Sequence, residues 1–305
     1  MGDATTLAQI SPTTIREDRQ ERLRQAGLGG PVGRLRVEPR PDWVPEGIDL
    51  QRPSAARMYD YYLGGAHNFG PDRELGRKVL EFVPDGQLLA QANRAFLHRA
   101  VRFLLSRGIQ QFLDIGSGIP TAGNVHEVAQ KEAPGSRVLY VDHDHVAVAH
   151  SEALLRDNPD ARVLHADLRN PDEILSSPAL HEVLDLSQPV GLLLVAVLHF
   201  IPDEDGPASL VARLQDAVPS GSYLAIAHGT FDSRSAEANE MTALYRNAGT
   251  PLTYRTRADV TALFGKWPLV DPGLVWVPEW RPDWPDDVGT DASWAANYGG
   301  VAWKP

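Results

Sequence analysis

Three carboxylates stand at the ends of three successive short apolar runs: Asp114 after Phe112-Leu113, Asp142 after Val138-Leu139-Tyr140-Val141, and Asp167 after His165-Ala166. The first opens a glycine turn, Asp114-Ile115-Gly116-Ser117-Gly118. Glycines at that place let the backbone pass close to a ligand at the carboxyl edge of a sheet. A dinucleotide fingerprint needs a third glycine where this chain has Thr121. An acid just ahead of the turn also sits poorly beside a pyrophosphate and well beside an ammonium group. The pattern favours a nucleoside bearing a cationic amino acid, with methionine sulfonium chemistry ahead of nicotinamide chemistry. Asp142 stands where an acid accepts ribose hydroxyls, and His143 would lie beside the adenine. Asp167 can accept the adenine amine while the Leu168 amide serves a ring nitrogen. Any one of these acids could simply cap a turn or helix. Three in series are far more specific.

A fourth run ends Val195-Ala196-Val197-Leu198-His199. Its end is expected to face the reacting groups, with Ala196 against the cofactor. His199 either orients the acceptor and takes its proton or is a packed histidine beneath the site. His67 is the second catalytic candidate, and His228, near a fifth strand end, a third. No Asn-Pro-Pro-Tyr or Asp-Pro-Pro-Tyr follows the fourth strand, which disfavours chemistry on nucleic-acid bases. No acidic cluster follows it either, and His143 and His145 diverge around Asp144, so no metal is expected.

The elements that must position these residues alternate. Apolar runs at Gln111-Ile115, Val138-Val141, Arg162-His165, Val190-Val197 and Tyr223-Ala227 are separated by helical segments near Thr121-Lys131, His145-Arg156, Pro178-Leu184 and Asp205-Val218. That alternation implies parallel strands with right-handed crossovers. A polar helix is expected near Ser233-Asn247 and another from Thr256, whose pairing with Asp259 resembles a capping box. Leu274-Val277 and Gly300-Trp303 read as final strands. Trp276, Trp280 and Trp294 either wall an acceptor pocket or fill core gaps. Ahead of the first strand, helices are expected at Ala55-Leu63, stopped by Gly64-Gly65, and at Gln87-Ser106. Residues 1–47 read as an arm, with a helix begun by Ser11-Pro12 and then a Gly/Pro/Arg-rich stretch. Residues 48–109 read as a helical extension and 110–305 as the core.

The chain has 305 residues, 43% of them hydrophobic, a net charge of -11 and no cysteine. Disulfides, thiolate metal sites and cysteine nucleophiles are therefore excluded. The acidic balance argues against nucleic acid as a partner. No apolar run is long enough to span a membrane, and Met1-Ile10 lacks the features of a secretory signal, so a cytoplasmic location is expected.

Beyond the three acids, Pro53-Ser54-Ala55-Ala56-Arg57-Met58-Tyr59-Asp60-Tyr61-Tyr62-Leu63-Gly64-Gly65-Ala66-His67-Asn68-Phe69 resembles the N-terminal signature of an actinobacterial S-adenosylmethionine methyltransferase family, long known only as a domain of unknown function. The likeness runs from about Ile48 to the C-terminus, although many members carry Lys-Asp where this chain has Ala66-His67. It implies a Rossmann-like class I methyltransferase fold, α/β, with a mostly parallel seven-stranded sheet, helices on both faces and an N-terminal helical extension. It also implies S-adenosyl-L-methionine as cofactor, and it supplies no acceptor.

On a helix, Met58 and Tyr62 share one face and Arg57 and Tyr61 another. The expectation is a lid that brings Tyr62 near the sulfonium, set against plain core packing. The leading function is methylation of a small molecule on O or N. Alternatives are a non-catalytic sensor of S-adenosylmethionine or S-adenosylhomocysteine, and a nicotinamide oxidoreductase. The oligomeric state is open, a homodimer being one option.

Overall fold

The structure, a computed structural model, describes residues 49–119, 123–234, 238–247 and 249–305. The expected arm with its helix at Ser11, and the expected helix start at Thr121, lie outside the described residues.

Three helices precede the sheet: α1 Ala55–Tyr62, α2 Gly70–Phe82 and α3 Gly86–Ser106. Sequence periodicity revealed the first and third but not α2. That helix buries only Leu75 and Val79 among large apolar residues, and it carries Gly76 at its middle. Gly76 reads as a helix breaker, yet a Cβ there would meet Tyr61 Cδ1 at 2.7 Å. Close packing of α1 on α2 requires it.

The chain then alternates: β1 Gln111–Ile115, α4 Val125–Glu132, β2 Arg137–Asp142, α5 His145–Leu155, β3 Ala161–His165, α6 Pro171–Ser176, α7 Pro178–Val183, β4 Gly191–Val195, α8 Pro207–Asp216, β5 Tyr223–Gly229, α9 Ala238–Asn247, α10 Arg257–Ala262, β6 Val275–Trp276 and β7 Asn297–Trp303. The strands form one seven-stranded sheet in the order β3-β2-β1-β4-β5-β7-β6. The first five run parallel, and β7 runs antiparallel to both neighbours. This is the class I methyltransferase arrangement that the sequence implied. Chain order reverses between β1 and β4, so a crevice is expected at their carboxyl ends.

Side chains alternate across the strands. Leu113, Leu139, Leu192, Leu194 and Ile226 pack one face of the sheet. Phe112, Val138, Tyr140, Leu193 and Ala225 pack the other. Burial on both faces explains why β4 reads as an unbroken apolar run. The strand nevertheless stops at Val195, before the expected Val197, because Ala196 turns to a φ of 61°. The final strands also depart from expectation: β6 shrinks to two residues and β7 begins at Asn297. Trp280 is fully buried, edge-on to Phe96 at 5.4 Å and Phe103 at 5.6 Å, and Trp276 stacks on Tyr298 at 4.2 Å. Trp280 and Trp276 thus pack into the core.

The Thr256 cap forms as read. Its Oγ1 donates to Asp259 Oδ2 at 2.6 Å, and the same carboxylate oxygen accepts the Thr256 amide at 3.1 Å. Thr256→Ala should lower the stability of the fold by about 1 kcal/mol. Urea denaturation checks this, with Thr256→Ser expected to match the parent.

Candidate functional site

A crevice of about 620 Å³ opens at the carboxyl edge of the sheet, well within the range of small-molecule sites. Asp114, Gly116, Ser117, Gly118, Asp142, His143, Asp167, Leu168, Ala196, His199 and Tyr62 all line it. Three strand-end acids far apart in the chain therefore share one cleft. His67 does not line it. Its ring packs 3.9 Å from that of His150, and its Nδ1 lies 4.0 Å from Asp60 Oδ1. The expectation that His67 is catalytic is corrected: the double-glycine turn carries it away from the cleft.

The turn after β1 is held by the end of β2. Gly116 and Ser117 both donate their amides to the Val141 carbonyl, at 2.8 and 3.2 Å. Asp142 Oδ2 accepts the Gly118 amide at 2.7 Å, and its Oδ1 accepts the Asp144 amide at 2.8 Å. Asp142 thus clasps two loops together. Burial raises its pKa above the usual carboxylate range, and these amides offset part of that shift. Gly118, with a φ of 68°, has no atom within 4 Å of the place a Cβ would take, so its backbone faces open space.

Asp114 is buried. Burial pushes its pKa up to about 7, against the pull of the Arg94 guanidinium and with a push from Asp142. A buried acid in that state is a waiting partner for a cation. Asp167 is differently placed. Its two oxygens accept from Arg169 Nε at 3.0 Å and Nη2 at 2.5 Å. Burial alone would raise this carboxyl, but Arg169 outweighs burial and holds it below the ordinary value. Sequence reasoning missed that partner, two residues downstream. His143 stands exposed at the rim, its Nδ1 3.6 Å from Asp142.

His199 lies where the segment leaving β4 meets β5. Its Nδ1 accepts the Gly229 amide at 3.3 Å, which leaves the ring proton on Nε2. Burial holds its pKa well below the ordinary histidine value, and the charges nearby on His228 and Arg255 add to that. His199 is therefore a neutral hydrogen-bond donor and a poor proton acceptor. His228 does not line the crevice. Its Nδ1 pairs with the Gly229 carbonyl at 2.7 Å and its Nε2 with Arg255 Nη1 at 3.0 Å, so neither ring nitrogen is left for catalysis. Arg255 went unnoticed in the sequence. It is buried and donates to Leu198 O and Ile201 O, both at 2.9 Å, and to Asp203 Oδ1 at 2.6 Å. It braces the segment that carries His199. Nothing in its local sequence could have announced this, because these three partners lie more than fifty residues away.

The N-terminal signature covers the other side of the crevice. Met58, Tyr59 and Tyr62 line it, whereas Arg57 and Tyr61 turn away, as helical spacing requires. Arg57 Nε pairs with Asp72 Oδ2 at 2.9 Å, and both side chains are buried. Ser54 Oγ donates to Asp144, which also stands 3.8 Å from Arg57 Nη1. Asp60 Oδ2 accepts the His67 amide at 2.9 Å and Asn68 Nδ2 at 2.8 Å. Much of the signature is thus a polar scaffold. It fixes the turn after α1 and ties that helix to the loop carrying Asp142. Burial raises the pKa of Tyr62 well above the usual tyrosine value, and the nearby Tyr245 adds to that.

Among the described residues, no helix is long and apolar enough to cross a membrane, and no cluster of three or more His, Asp or Glu is placed to hold a metal ion.

A family model described as S-adenosyl methyltransferase matches residues 41–305. The fold is similar to that of a DUF574 family protein from Streptomyces avermitilis, with 40% identity, a TM-score of 0.80, and coverage of 84% of this chain and 99% of that one. It is also similar to a protein from Thermobifida fusca, with 36% identity, a TM-score of 0.81, and coverage of 87% and 99%. Among curated proteins none matches the chain.

Proposed function

Because the chain belongs to the S-adenosyl methyltransferase family, whose cofactor is S-adenosyl-L-methionine, we propose that this crevice transfers a methyl group to a small-molecule acceptor, on oxygen or nitrogen. The observation that carries the reading is the shared cleft: Asp114, Asp142 and Asp167 all line it, with Gly118 open beside them. The acidic net charge of -11 favours a small acceptor over nucleic acid. A cytoplasmic setting accords with the cysteine-free composition.

The residues fit the cofactor. Asp114 would hold the amino-acid ammonium, Asp142 the ribose hydroxyls, and the Gly116–Gly118 turn would let the backbone approach. Asp167, the Leu168 amide and His143 surround the position assigned to adenine. When bound, the cofactor supplies an electrophilic methyl on a positively charged sulfur. The protein's work is then to align the acceptor, exclude water and keep the site polarised. Ser54–Ala56 and Tyr62 close the crevice from the lid side. His199, held neutral, orients by donation through Nε2.

Calorimetry with S-adenosylmethionine and S-adenosylhomocysteine, followed by a search for S-adenosylhomocysteine release against a metabolite extract, tests the reading. Micromolar binding with turnover is the expected result, and failure to bind either compound ends it. Once an active extract is found, His199→Gln should retain turnover within about tenfold and leave the pH profile unchanged. Removing a general base typically costs about 10²–10⁴-fold.

A further inference from the structure

The crevice residues fall into two chemically different groups. All the lining carboxylates among the described residues, namely Asp114, Asp142, Asp144 and Asp167, sit at the carboxyl ends of β1 and β2 or just after β2 and β3. The other group comes from α1 to α3 and from residues 200–254. It is apolar and aromatic: Met58, Tyr62, Phe231, Met241, Tyr245 and Tyr254 form one cluster there. Phe231 and Tyr254 pack with ring centroids 3.9 Å apart. Among the described residues two cations line this side: Arg234, committed to Asp85 (Nη1 to Oδ1, 3.0 Å) and to the Trp294 carbonyl at 2.9 Å, and Arg94 of α3, whose guanidinium lies 5.9 Å from the centre of the Tyr59 ring.

At the junction of the two groups stands Asn93, which is buried. Its orientation is fixed by its neighbours. The Tyr59 hydroxyl donates to the Ala90 carbonyl at 3.1 Å, so it must accept from Asn93, whose Nδ2 lies 2.8 Å away. That leaves Asn93 Oδ1 as a buried acceptor with no hydrogen-bond partner. An orphaned buried amide oxygen costs about 1–3 kcal/mol, a cost that a ligand donor would offset.

We propose that the aromatic half is the methyl-acceptor subsite, and that it takes a flat, uncharged aromatic molecule whose hydroxyl donates to Asn93 Oδ1. The wall rejects a cationic amine, because its described residues offer no carboxylate to offset the charge. It favours a phenol or enol over an aliphatic alcohol for two reasons. Flat rings pack against Phe231, Tyr245 and Tyr254, and among the described residues no side chain on this side is poised to take a proton. The acceptor must therefore be acidic enough to release its own. The acceptor oxygen forms its bond to the methyl carbon as the carbon–sulfur bond breaks. The electron pair of that bond stays on sulfur, leaving a neutral thioether, and the hydroxyl proton passes to water.

This inference rests on the methyltransferase reading, and the test separates the two. Protein saturated with S-adenosylhomocysteine is titrated by calorimetry with three probes: 2-naphthol, 2-methoxynaphthalene and 2-naphthylmethylamine. 2-Naphthol is expected to bind at least tenfold more tightly than the amine. Asn93→Ala should weaken 2-naphthol about tenfold while leaving 2-methoxynaphthalene and S-adenosylhomocysteine unaffected. Equal or tighter binding of the amine would overturn the assignment. So would a loss of S-adenosylhomocysteine affinity in Asn93→Ala, which would give the amide oxygen to the cofactor instead. If S-adenosylhomocysteine binds and none of the three probes does, the acceptor class is wrong and the cofactor site stands. Failure of S-adenosylhomocysteine itself to bind would remove the foundation of both.

Discussion

Gly116→Ala should abolish cofactor binding and destabilise the protein by about 2–5 kcal/mol, from two independent costs. The residue has a φ of 72°, where a side chain is strained by about 1–2 kcal/mol. A Cβ would also lie 2.3 Å from Val197 Cγ2 and 2.5 Å from Val197 Cβ. Val197 belongs to the segment leaving β4, so the new methyl cannot be accommodated without moving that segment and His199 with it. Gly118→Ala makes the informative comparison. It shares the positive φ, at 68°, but meets no atom within 4 Å. It should stay folded, melt only slightly earlier and lose affinity because its methyl enters the crevice. Urea denaturation and calorimetry on both variants check the pair. Equal stability of the two would show that Val197 does not press on the turn.

Asp114→Asn should weaken S-adenosylmethionine binding by roughly 100-fold, since a charge-assisted hydrogen bond contributes about 1.5–3 kcal/mol. The pH dependence carries a sign that identifies the group. With its pKa pushed up to about 7, the free protein carries Asp114 largely protonated at pH 6. A cationic ligand favours the ionised form, so binding must expel that proton. Affinity should therefore fall about fivefold between pH 7 and pH 6 in the parent and stay flat in Asp114→Asn. Stability runs the opposite way. The pKa is raised from 3.8 to about 7 on folding. The stability associated with the neutral carboxyl is thus full below about pH 4 and lost as pH rises through about 7. Asparagine never ionises and escapes that loss. At pH 8 the cofactor-free variant should melt higher than the parent while binding more weakly. Higher stability joined to weaker binding marks a residue held in an unfavourable state for function.

The cofactor half was legible in the chain because its residues follow strand ends. Each of Asp114, Asp142 and Asp167 comes directly after or at the close of an apolar run, and a parallel sheet brings such ends to one edge whatever the loops do. Glycine at 116 and 118 announced a backbone conformation that other residues resist. The face of α1 was legible for the same reason: helical spacing alone decides that Met58 and Tyr62 point one way and Arg57 another.

The histidines were not legible. His67, His199 and His228 looked equivalent as catalytic candidates, and the fold separated them completely. One packs on His150 outside the cleft, one gives its acceptor nitrogen to a backbone amide, and one is spent on Arg255 and a carbonyl. A histidine's chemistry depends on what each ring nitrogen touches, and those partners arrive from distant parts of the chain. Asn93 and Arg255 were invisible for the same reason.

By itself, then, the sequence determined the α/β alternation, the sheet edge and the three acids upon it, because strand periodicity and glycine stereochemistry are local properties. Tertiary structure alone decided which side chains are free to act. Burial and hydrogen-bond partnership are set largely by contacts across tens of residues, and they raised the pKa of the buried Asp114 carboxyl, spent both ring nitrogens of His228 and left the buried Asn93 Oδ1 without a hydrogen-bond partner.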